Sequence, residues 1–214
     1  MVAVIAAYFK DKNQSEYKNI YLQVKKMNIT DFIKSRRTIR KFEQIPLTRE
    51  QLERYIGVAG VAPSAANMQP LKYIAVQSKN MADRVFPLLK WAGYLPDYAP
   101  SEDERPVAYV VICIDKNIKP TGNDMDVGAA AENLILAALS ENVGSCWLGS
   151  VDREKLAALL KLGENLSISC VIALGYPKET PREVRADNDI KYYLDGETLC
   201  VPKRALSDIL IETI

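Results

Sequence analysis

Eight consecutive uncharged residues, Val107-Ala108-Tyr109-Val110-Val111-Ile112-Cys113-Ile114, constrain the fold more than any other stretch of the chain. The run is too short and too apolar for an amphipathic helix, and it reads as a strand buried on both faces. A second run of the same kind, from Leu166 to Leu174, is closed by Gly175-Tyr176-Pro177. Strands buried on two sides need helices on two sides, and from Asn28 onward helix and strand patterns alternate without a repeat, a low-complexity tract or a linker long enough to divide domains. One compact α/β or α+β unit is implied over residues 27–214.

The helices carry local signatures. Asn28 or Thr30 can cap a first helix with Ile29, Phe32 and Ile33 on one face. Thr48 and Gln51 have the spacing of a capping box ahead of a second helix, in which Leu52, Tyr55, Ile56 and Ala59 share a stripe. Residues 72–77 predict a strand, 81–90 a helix and 145–148 a short strand, and Asp152 caps a helix with Leu156, Leu159 and Leu160 inward. The stretch 124–140 is the most hydrophobic helix, with Val127, Ala130, Ala131, Leu134, Ile135 and Ala138 covering much of its circumference. It suits a central core helix, a dimer seam, or both.

The 28 Lys and Arg nearly balance the 27 Asp and Glu, so positive charge is local rather than global. That argues against a dedicated nucleic-acid or membrane-surface protein and favours small anions as ligands. Histidine is absent, which removes the commonest catalytic triads and zinc sites. Cys113, Cys146, Cys170 and Cys200 lack metal-site spacing, and the strand runs make Cys113 and Cys170 small core residues of a protein expected in reducing cytoplasm. The opening 1–9 segment is apolar but without the flanks of a signal peptide. Residues 1–26 are either an added helical arm or lie ahead of a true start at Met27.

Three arginines fall within five residues in Arg36-Arg37-Thr38-Ile39-Arg40, followed by Lys41-Phe42. Guanidinium groups at a helix exit offer rigid donor forks suited to a phosphate. Alone, the cluster reads as a solvated basic turn. A second feature changes the weighing: Pro63-Ser64-Ala65-Ala66-Asn67-Met68-Gln69-Pro70 has the look of a loop shaped for a ligand, in which the proline ends the preceding helix and Asn67 supplies a donor and an acceptor. A third is the basic pair after Pro202, Lys203-Arg204, which reads either as another anion clamp or as a solvated tail.

These motifs, with Asp126-Val127-Gly128-Ala129-Ala130-Ala131-Glu132-Asn133 and Gly144-Ser145-Cys146-Trp147-Leu148-Gly149, occur in one order and together resemble the nitroreductase family of flavin mononucleotide (FMN) enzymes. The resemblance runs from about Met27 to the C-terminus. It implies an α+β nitroreductase-like fold, a central mixed or antiparallel sheet flanked by helices, and an intertwined homodimer with FMN at the subunit interface. On that pattern Arg36, Arg37 and Thr38 hold the phosphate and ribityl chain, Arg40 approaches the pyrimidine edge, and Lys203 and Arg204 form a second phosphate clamp. Pro63, Ser64, Ala65 and Asn67 reach the flavin bound by the partner, and Leu148 and Gly149 turn a backbone N–H toward the ring nitrogen.

The activity so implied is two-electron, ping-pong hydride transfer from NADH or NADPH to a small acceptor such as a nitroaromatic, a quinone or a flavin. The flavin carries the chemistry, and no side chain need act as acid or base. Rival readings are a specialised flavoenzyme of the same fold (a reductive dehalogenase or a flavin-consuming enzyme) and a noncatalytic anion- or nucleic-acid-binding module. Residues 91–105, with Tyr94 and Tyr98, offer material for a substrate lid.

Overall fold

The computed structural model of the chain describes residues 28–95, 98–187 and 189–214, so the expectation for residues 1–26 lies outside the described residues. Contacts group the chain into two compact units, Met1–Arg36 and Arg37–Ile214. In the first unit, α1 (Ile29–Ser35) is capped by Asn28, whose Oδ1 accepts from the Asp31 N–H at 3.0 Å. Its apolar residues stay largely uncovered, Ile29 being 70% and Ile33 46% exposed.

In the second unit, β1 (Leu71–Val76), β2 (Ala108–Asp115), β3 (Gly144–Leu148) and β4 (Leu166–Gly175) form an antiparallel sheet in the order β1-β2-β4-β3. The central pair explains the two apolar runs, because alternate side chains leave a strand on opposite faces. Ala108, Val110, Ile112, Cys170, Ile172 and Leu174 pack under α2 (Arg49–Gly60) and α4 (Asp124–Leu139). Tyr109, Val111, Cys113, Val171 and Ala173 face α3 (Lys79–Val85) and α5 (Arg153–Leu160). Burying each large aliphatic side chain contributes about 1.5–3 kcal/mol, so both faces are needed to hold the sheet.

Between Ile112↔Cys170 and Cys113↔Ile168 the register skips Ser169, a β-bulge that leaves backbone groups of β4 to be satisfied elsewhere. The capping box at α2 forms in full: the Gln51 N–H donates to Thr48 Oγ1 at 3.2 Å and the Thr48 N–H to Gln51 Oε1 at 2.9 Å. The helix expected over 81–90 instead runs over Lys79–Val85 and tightens into a 3₁₀ turn at Phe86–Leu88. Pro87 has no N–H with which to continue an α-helical ladder.

Beyond Tyr176 lies a small second sheet absent from the sequence reading. In it β5 (Arg182–Arg185) is parallel and β6 (Tyr193–Asp195) antiparallel to the middle strand β7 (Thr198–Lys203). No helix among the described residues is long and apolar enough to cross a membrane.

Candidate functional site

The arginine segment lies against the free edge of β3. Thr38 bridges Ser145, and the Ile39 N–H donates to the Ser145 carbonyl at 2.9 Å. The chain then turns toward the extension of β4, where the Lys178 N–H donates to Lys41 O at 2.9 Å and the Glu43 N–H to Tyr176 O at 2.8 Å. This route demands glycine at two crossings. A Cβ on Gly144 would meet Ile39 Cγ1 at 2.7 Å, and one on Gly175 would meet Phe42 Cδ1 at 2.9 Å.

The second sheet closes over the same segment. Arg37 forms an ion pair with Glu183 of β5. Glu183 stands opposite Val201, two residues before Lys203, so Arg37 and Lys203 approach one end of β5–β7 within roughly 7 Å of strand length. Arg40 is only 8% exposed, and its guanidinium carbon sits 4.6 Å from the centre of the Tyr192 ring. A cation over an aromatic face is stabilised by about 0.5–2 kcal/mol. Backbone N–H groups of Arg40 and Lys41 both donate to the Glu179 carboxylate, the latter at 3.2 Å.

Arg40 Nε is buried and has no hydrogen-bond partner among the described residues. Such a donor costs about 1–3 kcal/mol, more for a charged group, so it points to an acceptor brought by a ligand. Around it, Tyr98 is pushed up to about 12, by burial first and then by Glu179, against the opposing pull of Arg40. Burial likewise pushes the Cys146 thiol up to about 11, which makes it an inert strand residue. Trp147, its neighbour on β3, is 40% exposed. Tyr94 donates its N–H to the Tyr192 hydroxyl at 3.3 Å, and the two rings, with centres 4.9 Å apart, line a groove of about 590 Å³ with Tyr193 and Pro202.

Leu148 ends β3 and Gly149 follows it. Leu148 is buried opposite Val171, while Gly149 is exposed, with nothing within 4 Å of a Cβ built on it. From Ser145 to Gly149 the edge measures roughly 13 Å at the usual rise of a strand. Thr38 therefore stands at one end of this edge and the Gly149 turn at the other.

The loop holding Pro63, Ser64, Ala65 and Asn67 is elsewhere: it leads into β1, at the opposite edge of the sheet. Three strand spacings, roughly 14 Å, separate the two edges. Leu71 aligns through Ile114 with Ser167, so the loop and the Gly149 turn share one end of the sheet on opposite sides. Arg37 and Arg40 meet the region of the second sheet, at Glu183 and Tyr192; Lys203 ends β7 of that sheet, with Arg204 following it, and Thr38 lies between the two arginines on the β3 edge. Leu148 and Gly149 share their edge, and the loop does not. Arg36 belongs to the first unit, where it caps α1 with its N–H on the Ile33 carbonyl at 3.3 Å.

The loop's geometry is strained and strongly anchored. Ala66, Asn67 and Gln69 all have left-handed φ, at 51°, 53° and 51°. Holding them is Asp126, in the first turn of α4, whose side chain is 2% exposed. Its Oδ1 accepts from the Ala65 N–H at 2.9 Å, and its Oδ2 pairs with Lys119 Nζ at 2.6 Å. Ser64 Oγ accepts from the Gln69 N–H at 2.9 Å. The hydrogen bond from Lys119, followed by that from Ser64, lowers the Asp126 carboxyl to about 2. The sequence reading took Asp126 only as the opening of a helix. Its signal was a lone acid on the otherwise apolar buried face of the helix.

A family model described as "Nitroreductase family" matches residues 33–176. A protein of Archaeoglobus fulgidus described as "Putative NADH dehydrogenase/NAD(P)H nitroreductase" is 33% identical over 163 residues, 73% of this chain and 89% of that protein. An NADPH-flavin oxidoreductase of Vibrio harveyi is 29% identical over 170 residues, 72% of this chain and 68% of that protein. Among solved structures, a nitroreductase family protein from Clostridium novyi NT superposes with a TM-score of 0.59 at 25% identity, covering 71% of this chain and 88% of that one. A family match over two thirds of the length, taking in the arginine segment, the Pro63–Pro70 loop, α4 and the turn after β3, leads to one conclusion: the chain belongs to the nitroreductase family.

Proposed function

We propose that this protein is an FMN-dependent NAD(P)H oxidoreductase that works as a homodimer and reduces a small planar acceptor. The observation that carries the reading is Arg40: a buried guanidinium stacked on Tyr192 with an unpartnered Nε. It is suited to an acceptor atom on the pyrimidine edge of a flavin. When bound, FMN supplies the two-electron chemistry.

Arg37, Thr38, Lys203 and Arg204 would hold the phosphate and ribityl chain, with Glu183 giving up Arg37 to the incoming anion. Arg40 favours negative charge beside the ring. Gly149 leaves space for a backbone N–H to meet the ring, and Leu148 packs behind it. The loop with Pro63, Ser64, Ala65 and Asn67 stands too far across its own sheet to serve the same site, so the reading assigns it to the partner's cofactor. This is the support for a dimer. Tyr94, Tyr192 and Tyr193 offer aromatic walls to the nicotinamide and the acceptor, which take turns at one face. The flavin named for the Vibrio harveyi relative agrees with this assignment.

The test is a visible spectrum of the purified protein, followed by anaerobic addition of NADH or NADPH. A yellow protein that bleaches and recovers its colour with a quinone or nitroaromatic bears the reading out. Protein that stays colourless after incubation with FMN refutes it.

A further inference from the structure

The turn after β3 is held by a residue to which the sequence assigns no role. Ser145 O accepts from Ile39, so the backbone groups of residue 145 face away from β4. Backbone groups alternate along a strand, and those of Leu148, paired with Val171, therefore face β4. With no cis peptide bonds among the described residues, the Gly149 N–H points opposite to the Leu148 carbonyl, toward the free edge.

At Gly149 the alternation stops. Its carbonyl accepts from Arg153 Nη2 at 3.0 Å, and the same nitrogen donates to Ser169 O at 2.8 Å while Arg153 Nε donates to Ile168 O at 3.1 Å. Ser169 is the bulged residue of β4 and Ile168 its neighbour, so Arg153 draws the Gly149 carbonyl back to the β4 side. The Ser150 N–H then points away from β4 as well. An uninterrupted strand would send these two N–H groups to opposite sides; here both face the free edge. The turn is pinned from the other direction too, by the Lys90 N–H on Ser150 O at 3.0 Å and the Asp152 N–H on Leu88 O at 2.9 Å.

We propose that Arg153 is a positioning residue for the flavin site: by fixing the Gly149 carbonyl between the two bulge carbonyls, it presents the Gly149 and Ser150 N–H groups together to adjacent acceptor atoms of the cofactor ring. The inference rests on the FMN reading. A guanidinium is required, because its planar fork reaches three carbonyls at fixed angles and an ammonium does not.

The experiment compares the wild type with Arg153→Met and Arg153→Lys. Each is titrated with FMN by fluorescence, followed by amide NMR at Gly149 and Ser150 with and without FMN, and bleached anaerobically with NADH in a single turnover. In the wild type, FMN shifts both amides. In Arg153→Met the Ser150 shift is lost and bleaching slows by about 10- to 100-fold, the scale of a misplaced reacting group. FMN affinity stays within about threefold, the split expected of a residue that orients rather than holds. Arg153→Lys falls between the two, and it decides the matter if the Met variant does not fold. A wild type that takes up no FMN defeats the cofactor reading itself. A wild type that binds FMN, beside variants with unchanged bleaching and an unchanged Ser150 shift, overturns the role of Arg153 alone.

Discussion

Replacing Asp126 by alanine tests whether the Pro63–Pro70 loop is held in its conformation from outside. Left-handed geometry costs an L-residue about 1–2 kcal/mol, so Ala66, Asn67 and Gln69 together hold roughly 3–6 kcal/mol of strain, less any relief from the asparagine. Against that stands Asp126, with the Ala65 N–H and Lys119 on its carboxylate. Removing one member of a buried ion pair costs about 3–5 kcal/mol. Lys119 keeps 15% exposure, which lets its ammonium reach water and puts the loss near the lower end. Release of loop strain offsets part of the remainder, leaving an expected net loss of about 2–3 kcal/mol, or roughly 4–12 °C in Tm for a chain of this size.

Urea denaturation of the wild type, Asp126→Ala and Asp126→Asn/Lys119→Gln measures it. The double variant, which strands no charge, should be the less destabilised of the two. The pH dependence has a definite sign. Because the folded carboxyl lies at about 2, below its ordinary 3.8, the stabilisation is complete above pH 4 and disappears as pH falls toward 2. A loss below about 0.5 kcal/mol in Asp126→Ala, with amide protection in the loop unchanged, would refute the argument.

Further outcomes follow from the same geometry. Gly144→Ala places a methyl against Ile39 and Pro177 and should cost about 1–3 kcal/mol while weakening FMN retention, since Ile39 lies between Thr38 and Arg40; denaturation and a fluorescence titration read the two effects. Ala66→Gly should stabilise by up to about 1 kcal/mol, because relief of its left-handed strain exceeds the added freedom of the unfolded chain; the urea midpoint checks it. Arg40→Ala should lower FMN affinity by about tenfold or more, whereas Cys146→Ser leaves retention nearly intact and the wild-type Cys146 stays unreactive to thiol dyes at pH 8.

The sequence disclosed whatever its own neighbourhood determines. Val107–Ile114 and Leu166–Leu174 are buried strands because every second side chain meets a helix layer, and that requirement is written in the run itself. Thr48 and Gln51 satisfy one another across three residues, so their capping box was legible in full. The β5–β7 sheet was not: Arg182–Arg185 and Tyr193–Asp195 are mostly exposed and carry no alternation of buried and polar residues. Asp126 and Arg153 were missed for a related reason. The first holds a loop 61 residues earlier, and the second reaches carbonyls of a bulge 15 and 16 residues later. A carbonyl left over by a bulge has no side-chain signature, so the arginine that serves it looks like any other charge in the first turn of a helix. The arginine segment and the loop were legible as motifs, but which of them share a site depends on strand order. The order β1-β2-β4-β3 puts them on opposite edges, which is why the site proposed above draws on the edge of one protomer and the loop of another.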